Sequence, residues 1–177
     1  MPDDRQKARR DGGTGSDPAE HSAAEHAMGE LEFALSMAYL AFERWTEKCM
    51  MAAGENRLTH MDSMVLHAIH DRSRSTRLTD VAFVLNIDDN HIVAYSLRKL
   101  EKLGLLGSVK RGKEKFYETT PAGADLVHRY RACRVDLLLS SGKLRPGNIE
   151  EVLEAARVLR ELSGNYDQAA RRAATAL

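Results

Sequence analysis

The sequence predicts a mainly α chain with one small β-hairpin. Hydrophobic residues make up 43% of the 177, but aromatic residues only 6%, so the core is packed by Leu, Ala, Met and Val, as in helical folds. Apolar residues recur at steps of three and four along most of the chain. Strict alternation is confined to two short runs, Leu105–Lys110 and Lys115–Thr119, on either side of Arg111-Gly112-Lys113. The length suits one domain with helical extensions.

Residues 1–22 are polar, broken by glycine and proline, and lack any period, which predicts a disordered tail. Residues 24–53 predict a long helix. Met28, Leu31, Leu35, Ala38, Phe42, Trp45 and Cys49 form one apolar seam, and Phe33, Met37, Leu40 and Ala41 a second flank. A helix apolar on two flanks needs cover on both, one side from its own domain and the other from a second chain. Gly54 ends it. Thr59 and Asp62 form a capping-box pattern for a helix to about Asp71, with Met61, Met64, Val65, Ala68 and Ile69 inward. After the basic loop RSRSTR a short helix covers about Thr79–Leu85, and Asn86 suits a left-handed turn. Asp88 or Asp89 caps the next helix, which runs to about Leu103 with Val93, Ser96, Leu97, Leu100 and Leu103 facing the core.

The hairpin follows, with Gly112 at its tip. Thr120 then caps a helix that has Pro121 at its first position and extends to about Ser140. SGKLRPGN interrupts it. Asn148 and Glu151 cap a last helix whose stripe is Ile149, Val152, Ala156, Leu159, Leu162 and Tyr166.

Net charge is zero, with 26 basic and 26 acidic residues, so charge as a whole implies no partner. Its distribution does. Between Arg72 and Phe116 ten Lys/Arg face five Asp/Glu, leaving that window at +5. A basic middle in a neutral chain is the electrostatic footprint of nucleic-acid contact.

Two short helices around a tight turn, the second one basic, followed by a two-stranded hairpin, are the pattern of a winged helix-turn-helix domain. A major groove admits one α-helix. The core stripe of the second helix leaves Asn90, His91, Ala94, Tyr95, Arg98 and Lys102 on its outer side. Asn, His and Arg side chains hydrogen-bond base edges, and Ala or Tyr meets a thymine methyl. Lys110, Arg111, Lys113 and Lys115 on the hairpin neutralise phosphates, with Arg111 the best minor-groove probe. Arg74 and Arg77, from the basic loop, complete the candidate DNA-binding set. Asp88 and Asp89 oppose DNA by charge and serve the helix start instead.

Residues 59–135 resemble the MarR family of bacterial winged-helix transcription regulators. The matching pieces are LTDVAFVLNI, VAYSLRKLEKLGLL, the hairpin, and TTPAGADLV, which is similar to the family's Leu-Thr-x-x-Gly start of the helix after the wing. The resemblance implies a homodimer whose first and last two helices interlock. It divides the chain into a tail (1–22), an N-terminal dimerisation helix (23–56), the DNA-binding domain (57–120) and C-terminal dimerisation helices (121–177). It also implies an effector pocket between the DNA-binding lobe and the dimer helices, for which Met37, Tyr39, Trp45, Met61 and Met64 are candidate lining. The wing departs from the family: it is shorter and lacks the Asp and paired Arg near the tip, so Arg111 is only the nearest substitute.

Other chemistry is weaker. His60, His67 and His70 share a helix; His67 and His70, at i and i+3, have the spacing to share a metal with Cys49 or His60, but helix-surface or core histidines are the safer reading. Cys49, on the expected dimer seam, reads as an inert buried thiol before a redox sensor. No phosphate-binding loop, nucleophile motif or carboxylate pair points to an enzyme or a cofactor. Two separated cysteines fit a reducing compartment. No apolar run reaches membrane-spanning length, and the N-terminus lacks a signal-peptide core. The expected setting is the cytoplasm, and the expected partners are double-stranded DNA, a second copy of the chain and a small-molecule effector. The alternatives are a winged-helix protein-interaction module whose basic face meets an acidic partner, and a ligand- or metal-responsive sensor with the same DNA output.

Overall fold

The computed structural model describes residues 18–72, 75–140 and 149–176. The elements in order are α1 (Pro18–Ala52), α2 (His60–His70), β1 (Thr76–Arg77), α3 (Leu78–Val84), α4 (Asn90–Lys102), β2 (Leu106–Arg111), β3 (Glu114–Thr119), α5 (Pro121–Arg134) and α6 (Ile149–Thr175). The chain is mainly helical around a small antiparallel sheet, as the sequence predicts. Arg74, the SGKLRPGN break, the Asn148 cap and the first 17 residues of the expected tail lie outside the described residues.

Four local features differ from the sequence reading. α1 begins at Pro18, inside the expected tail, because Ala19–Ala24 are compatible with helix and proline is tolerated in a first turn. The sheet has three strands, in the order β1-β3-β2. Thr76 pairs with Tyr117 and Arg77 with Phe116, and a two-residue strand leaves no periodicity to read. The inward side of α2 is Asp62, Ser63, Val65, Leu66 and Ile69, while Met61, Met64 and Ala68 are only half-buried. Finally, α5 does not run as a regular helix to Ser140; it ends at Arg134 and continues as a π-helical turn, Val135–Leu139.

The described residues form two compact units, one up to Trp45 and one from Thr46 onward. The first is the greater part of α1. Phe33, Met37, Tyr39, Leu40 and Phe42 are all exposed along it, Phe33 at 66%. The second holds the core, built by Cys49, Met50, Val65, Leu66, Val81, Val93, Leu97, Leu100, Leu126 and Val127, each essentially solvent-free. Each large aliphatic side chain buried there contributes about 1.5–3 kcal/mol. No residue of α6 is fully buried, and Ile149, Val152, Leu153 and Leu159 are exposed. Among the described residues no helix is long and apolar enough to cross a membrane.

Local chemistry sets the turns that position the second unit. Thr59 and Asp62 form the expected capping box: the Thr59 backbone N–H donates to Asp62 Oδ2 (3.0 Å) and the Asp62 N–H to Thr59 Oγ1 (3.3 Å). Between α3 and α4 Asn86 takes φ +53°, the left-handed conformation that Asn tolerates. Thr120 Oγ1 accepts from the Gly123 N–H (3.1 Å) with Pro121 in the first turn, as predicted.

Candidate nucleic-acid interface

α4 is strongly amphipathic. Val93, Ser96, Leu97 and Leu100 are buried, and Leu103, its C-cap residue, is half-buried. Asp89 rather than Asp88 is the N-cap, accepting from the His91 N–H at 2.8 Å; Asp88 is exposed. The predicted outer row follows from this register: Asn90, His91, Tyr95, Arg98 and Lys102 are exposed and Ala94 is half-buried, with Tyr95 at 64%. Neither Arg98 nor Lys102 is drawn into an ion pair among the described residues. Lys99, one turn from Tyr95, does not join that row. It points inward and its ammonium sits 2.5 Å from Asp62 Oδ2.

The wing is a two-residue hairpin. Arg111 pairs with Glu114, and Gly112 at φ +63° occupies the first loop position, as a type II′ turn requires. Antiparallel register then sorts its cations by face. Lys110 and Lys115 are directly opposed, a like-charge pair that is unfavourable unless one partner is neutralised. Glu101 on α4 does this. Its carboxylate lies 2.8 Å from Lys115 Nζ and accepts from Ser108 Oγ at 2.6 Å. One residue of α4 thus grips both wing strands. Burial works against ionisation of Glu101, but the Lys115 and Ser108 hydrogen bonds outweigh it and hold the carboxyl below its ordinary value. Lys115 is raised in turn, mainly by its hydrogen bond to Glu101.

Arg111 lies on the other face of the wing. Its guanidinium stacks 5.0 Å from the Phe116 ring and reaches Ser75 Oγ at 3.5 Å, so it folds back along the strand. Arg77 is held more firmly. It pairs with Asp80 at 3.0 Å and with Glu114 at 2.8 Å, tying the start of α3 to the wing, and these hydrogen bonds raise its pKa. Of the predicted cations, Arg98, Lys102, Lys110 and Lys113 therefore stand exposed without a carboxylate partner among the described residues, whereas Arg77 and Lys115 are engaged by carboxylates of neighbouring elements. Sequence reasoning missed Glu101 and Asp62 as the residues that fix α4. Spacing gives no signal for either, since their partners lie on other elements.

The histidines of α2 are taken up by packing. His60 Nδ1 is 2.6 Å from Thr46 Oγ1. His67 donates to the Ser63 carbonyl and meets Tyr130 edge-on, and His70 meets His128. Burial lowers the His67 pKa. Among the described residues no group of three or more His, Cys, Asp or Glu is placed to hold a metal. Cys49 is not on an open seam. It is fully buried, with its thiol 3.6 Å from the Tyr130 carbonyl of α5. Of the candidate effector-pocket residues, Met61 lines a shallow apolar groove with Ile92 and Tyr95.

Comparison with known proteins agrees with this geometry. Residues 58–123 match the family model of the winged helix DNA-binding domain. The curated proteins give no match. Among solved structures the chain is similar to reduced AbfR bound to DNA (TM-score 0.66, 16% identity, covering 82% of this chain and 96% of that one). It is also similar to Staphylococcus aureus MarR in complex with salicylate and kanamycin (0.63, 17%, 81% and 97%). A third is Bordetella bronchiseptica BpsR, whose DNA binding is regulated by 6-hydroxynicotinic acid (0.58, 22%, 76% and 98%). Residues 58–123 therefore match the winged helix DNA-binding domain, and the chain has the fold seen in solved MarR-family transcription regulators.

Proposed function

We propose that the protein is a MarR-type transcription regulator that reads DNA as a homodimer, setting α4 into the major groove and the wing beside it. The observation that carries this reading is the register of α4. Four buried residues leave Asn90, His91, Tyr95, Arg98 and Lys102 facing solvent in one row. Groups able to hydrogen-bond base edges stand where a duplex would lie, and Lys110 and Lys113 extend the positive charge along the wing. The folding-back of Arg111 favours Lys113 as the tip contact to phosphate.

The apolar residues exposed on α1 and α6 support a second copy as their cover, because contiguous apolar patches are costly to leave in water. Residues 23–56 and 121–177 then serve dimerisation, and 57–120 serve DNA. Two-fold symmetry calls for an inverted-repeat operator with half-sites about one helical turn apart, or a multiple of it. Ligand control fits the same fold, given the salicylate, kanamycin and 6-hydroxynicotinic acid of its structural relatives.

Selection of bound sequences from a random duplex pool, with sedimentation of the free protein, tests the reading. The expected result is a palindromic site and a dimer. A monomer that retains no duplex even in dilute salt would overturn it, and salt-sensitive binding to an acidic protein instead would favour the interaction module.

A further inference from the structure

A line of polar contacts runs from the end of α1 to the reading helix. Thr46 Oγ1 meets His60 Nδ1 at 2.6 Å, and the His60 N–H donates to Glu47 Oε1 at 3.3 Å. His60 adjoins Thr59, whose N–H and hydroxyl both donate to Asp62 Oδ2, at 3.0 and 2.9 Å. That same oxygen takes the Lys99 ammonium of α4 at 2.5 Å. Thr46, His60 and Asp62 are all buried, and the Asp62 side chain is only 1% exposed against 25% for Lys99. A carboxylate this deep is costly unless paired, so the site strongly favours the one α4 position that delivers Lys99 to it. Lys99 lies between Arg98 and Lys102 in sequence, within the stretch that carries the outward row.

We infer that Asp62, through Lys99, is a positioning residue for DNA reading: the pair locks the orientation of α4 to the α1–α2 junction, so that movement of that junction is felt at the base-reading row. This rests on the proposed role of α4. Asp62 touches no DNA itself and acts through the helix it anchors. The capping function is separable from the anchoring one, because an Asn at position 62 still accepts from the Thr59 N–H but offers no charge to Lys99.

The test compares wild type with Asp62→Asn, Lys99→Arg and the double variant Asp62→Asn/Lys99→Met. Three quantities are read: thermal stability, the ratio of affinities for the selected duplex and a scrambled one, and amide hydrogen exchange across α4 and α5. Asp62→Asn should lower the affinity ratio roughly tenfold, with the salt slope unchanged and exchange faster in α4 than in α5. Lys99→Arg, which keeps a cation for the carboxylate, should stay near wild type. The double variant leaves no buried charge unpaired; it should regain thermal stability without regaining the ratio. If the ratio returns with stability, or never changes, the pair serves only to hold the fold and the inference is overturned. If wild type prefers no duplex, the reading role falls instead, and α4 exchange unchanged by Asp62→Asn still refutes the anchor.

Discussion

Gly123 in the first turn of α5 stands against the carbonyl of Leu105, so closely that a Cβ built on it would overlap the Leu105 oxygen and lie 3.0 Å from the carbon. The obstacle is backbone, which cannot rotate aside as a side chain can. The same turn is fastened from the other direction, since the Thr120 hydroxyl donates to the Gly104 carbonyl at 2.7 Å and the Thr120 N–H to Leu105 O at 3.1 Å. This explains the Thr-Pro-Ala-Gly stretch: α5 starts pressed on the residues that lead from α4 into the wing. Gly123→Ala should destabilise by about 1–3 kcal/mol or more. Gly164→Ala in α6, with nothing within 4 Å of its Cβ, should stabilise by up to about 1 kcal/mol. Urea titration of both variants checks the opposite signs; equal effects would remove the close-packing argument.

Arg98 and Lys113 are both exposed and without an ion pair among the described residues, but their places predict different losses. Arg98 stands in the outward row proposed to face bases, so Arg98→Ala should cost about 1–3 kcal/mol on the preferred duplex and relax sequence choice. Lys113 lies in the hairpin loop. Lys113→Ala should weaken all duplexes alike and reduce the salt slope by about 1. Affinities for selected and scrambled duplexes over a salt series measure both. Identical behaviour of the two variants would mean that α4 contacts only phosphate.

The two thiols should react at different rates. Burial, helped by the neighbouring Cys133 and opposed by Arg134, pushes the Cys49 thiol up to about 11. Cys49 is fully buried and Cys133 half-exposed. At pH 8 only a trace of Cys49 is thiolate, the reactive form. Native protein should therefore take one maleimide per chain, at Cys133, and a second only after unfolding. Mass spectrometry of labelled peptides decides it, and rapid native labelling of Cys49 would contradict the burial described for it.

Much of the local structure around α4 was legible because it is periodic and local. Val93, Ser96, Leu97 and Leu100 announce the buried side of α4 by spacing alone, and Thr59 and Thr120 announce helix starts because a cap acts within three residues, while the choice between Asp88 and Asp89 needed the structure. Glu101, Asp62, Arg77 and Lys115 were not legible as fasteners. Each reads as an ordinary charge on its own element, and Lys99 sits among cations that suggest a solvated or DNA-facing side. Their ion-pair partners are 14 to 37 positions away, except in the Arg77–Asp80 pair, and no sequence period records a contact made only when elements pack. Arg111 illustrates the same limit: the sequence places it beside the turn, but Phe116 on the adjacent strand decides where its guanidinium rests.

Acid should expose the anchoring pair. Burial works to raise the Asp62 pKa, but the Lys99 hydrogen bond and those of Thr59 outweigh it, so the folded value lies below the ordinary one. A carboxyl depressed on folding contributes stability that is present above its unfolded pKa and is lost as pH falls through the folded one. Glu55, Asp80 and Glu101 are depressed as well and contribute over the same acidic window, so wild type alone cannot isolate Asp62. The difference between wild type and Asp62→Asn can. Urea midpoints from pH 7 to pH 2 should show the variant less stable at neutral pH, with the gap narrowing as the acid protonates Asp62 in wild type. A gap that stays constant across the whole range would mean that the lost stability is not the charge of Asp62, and that Lys99 gains nothing from it.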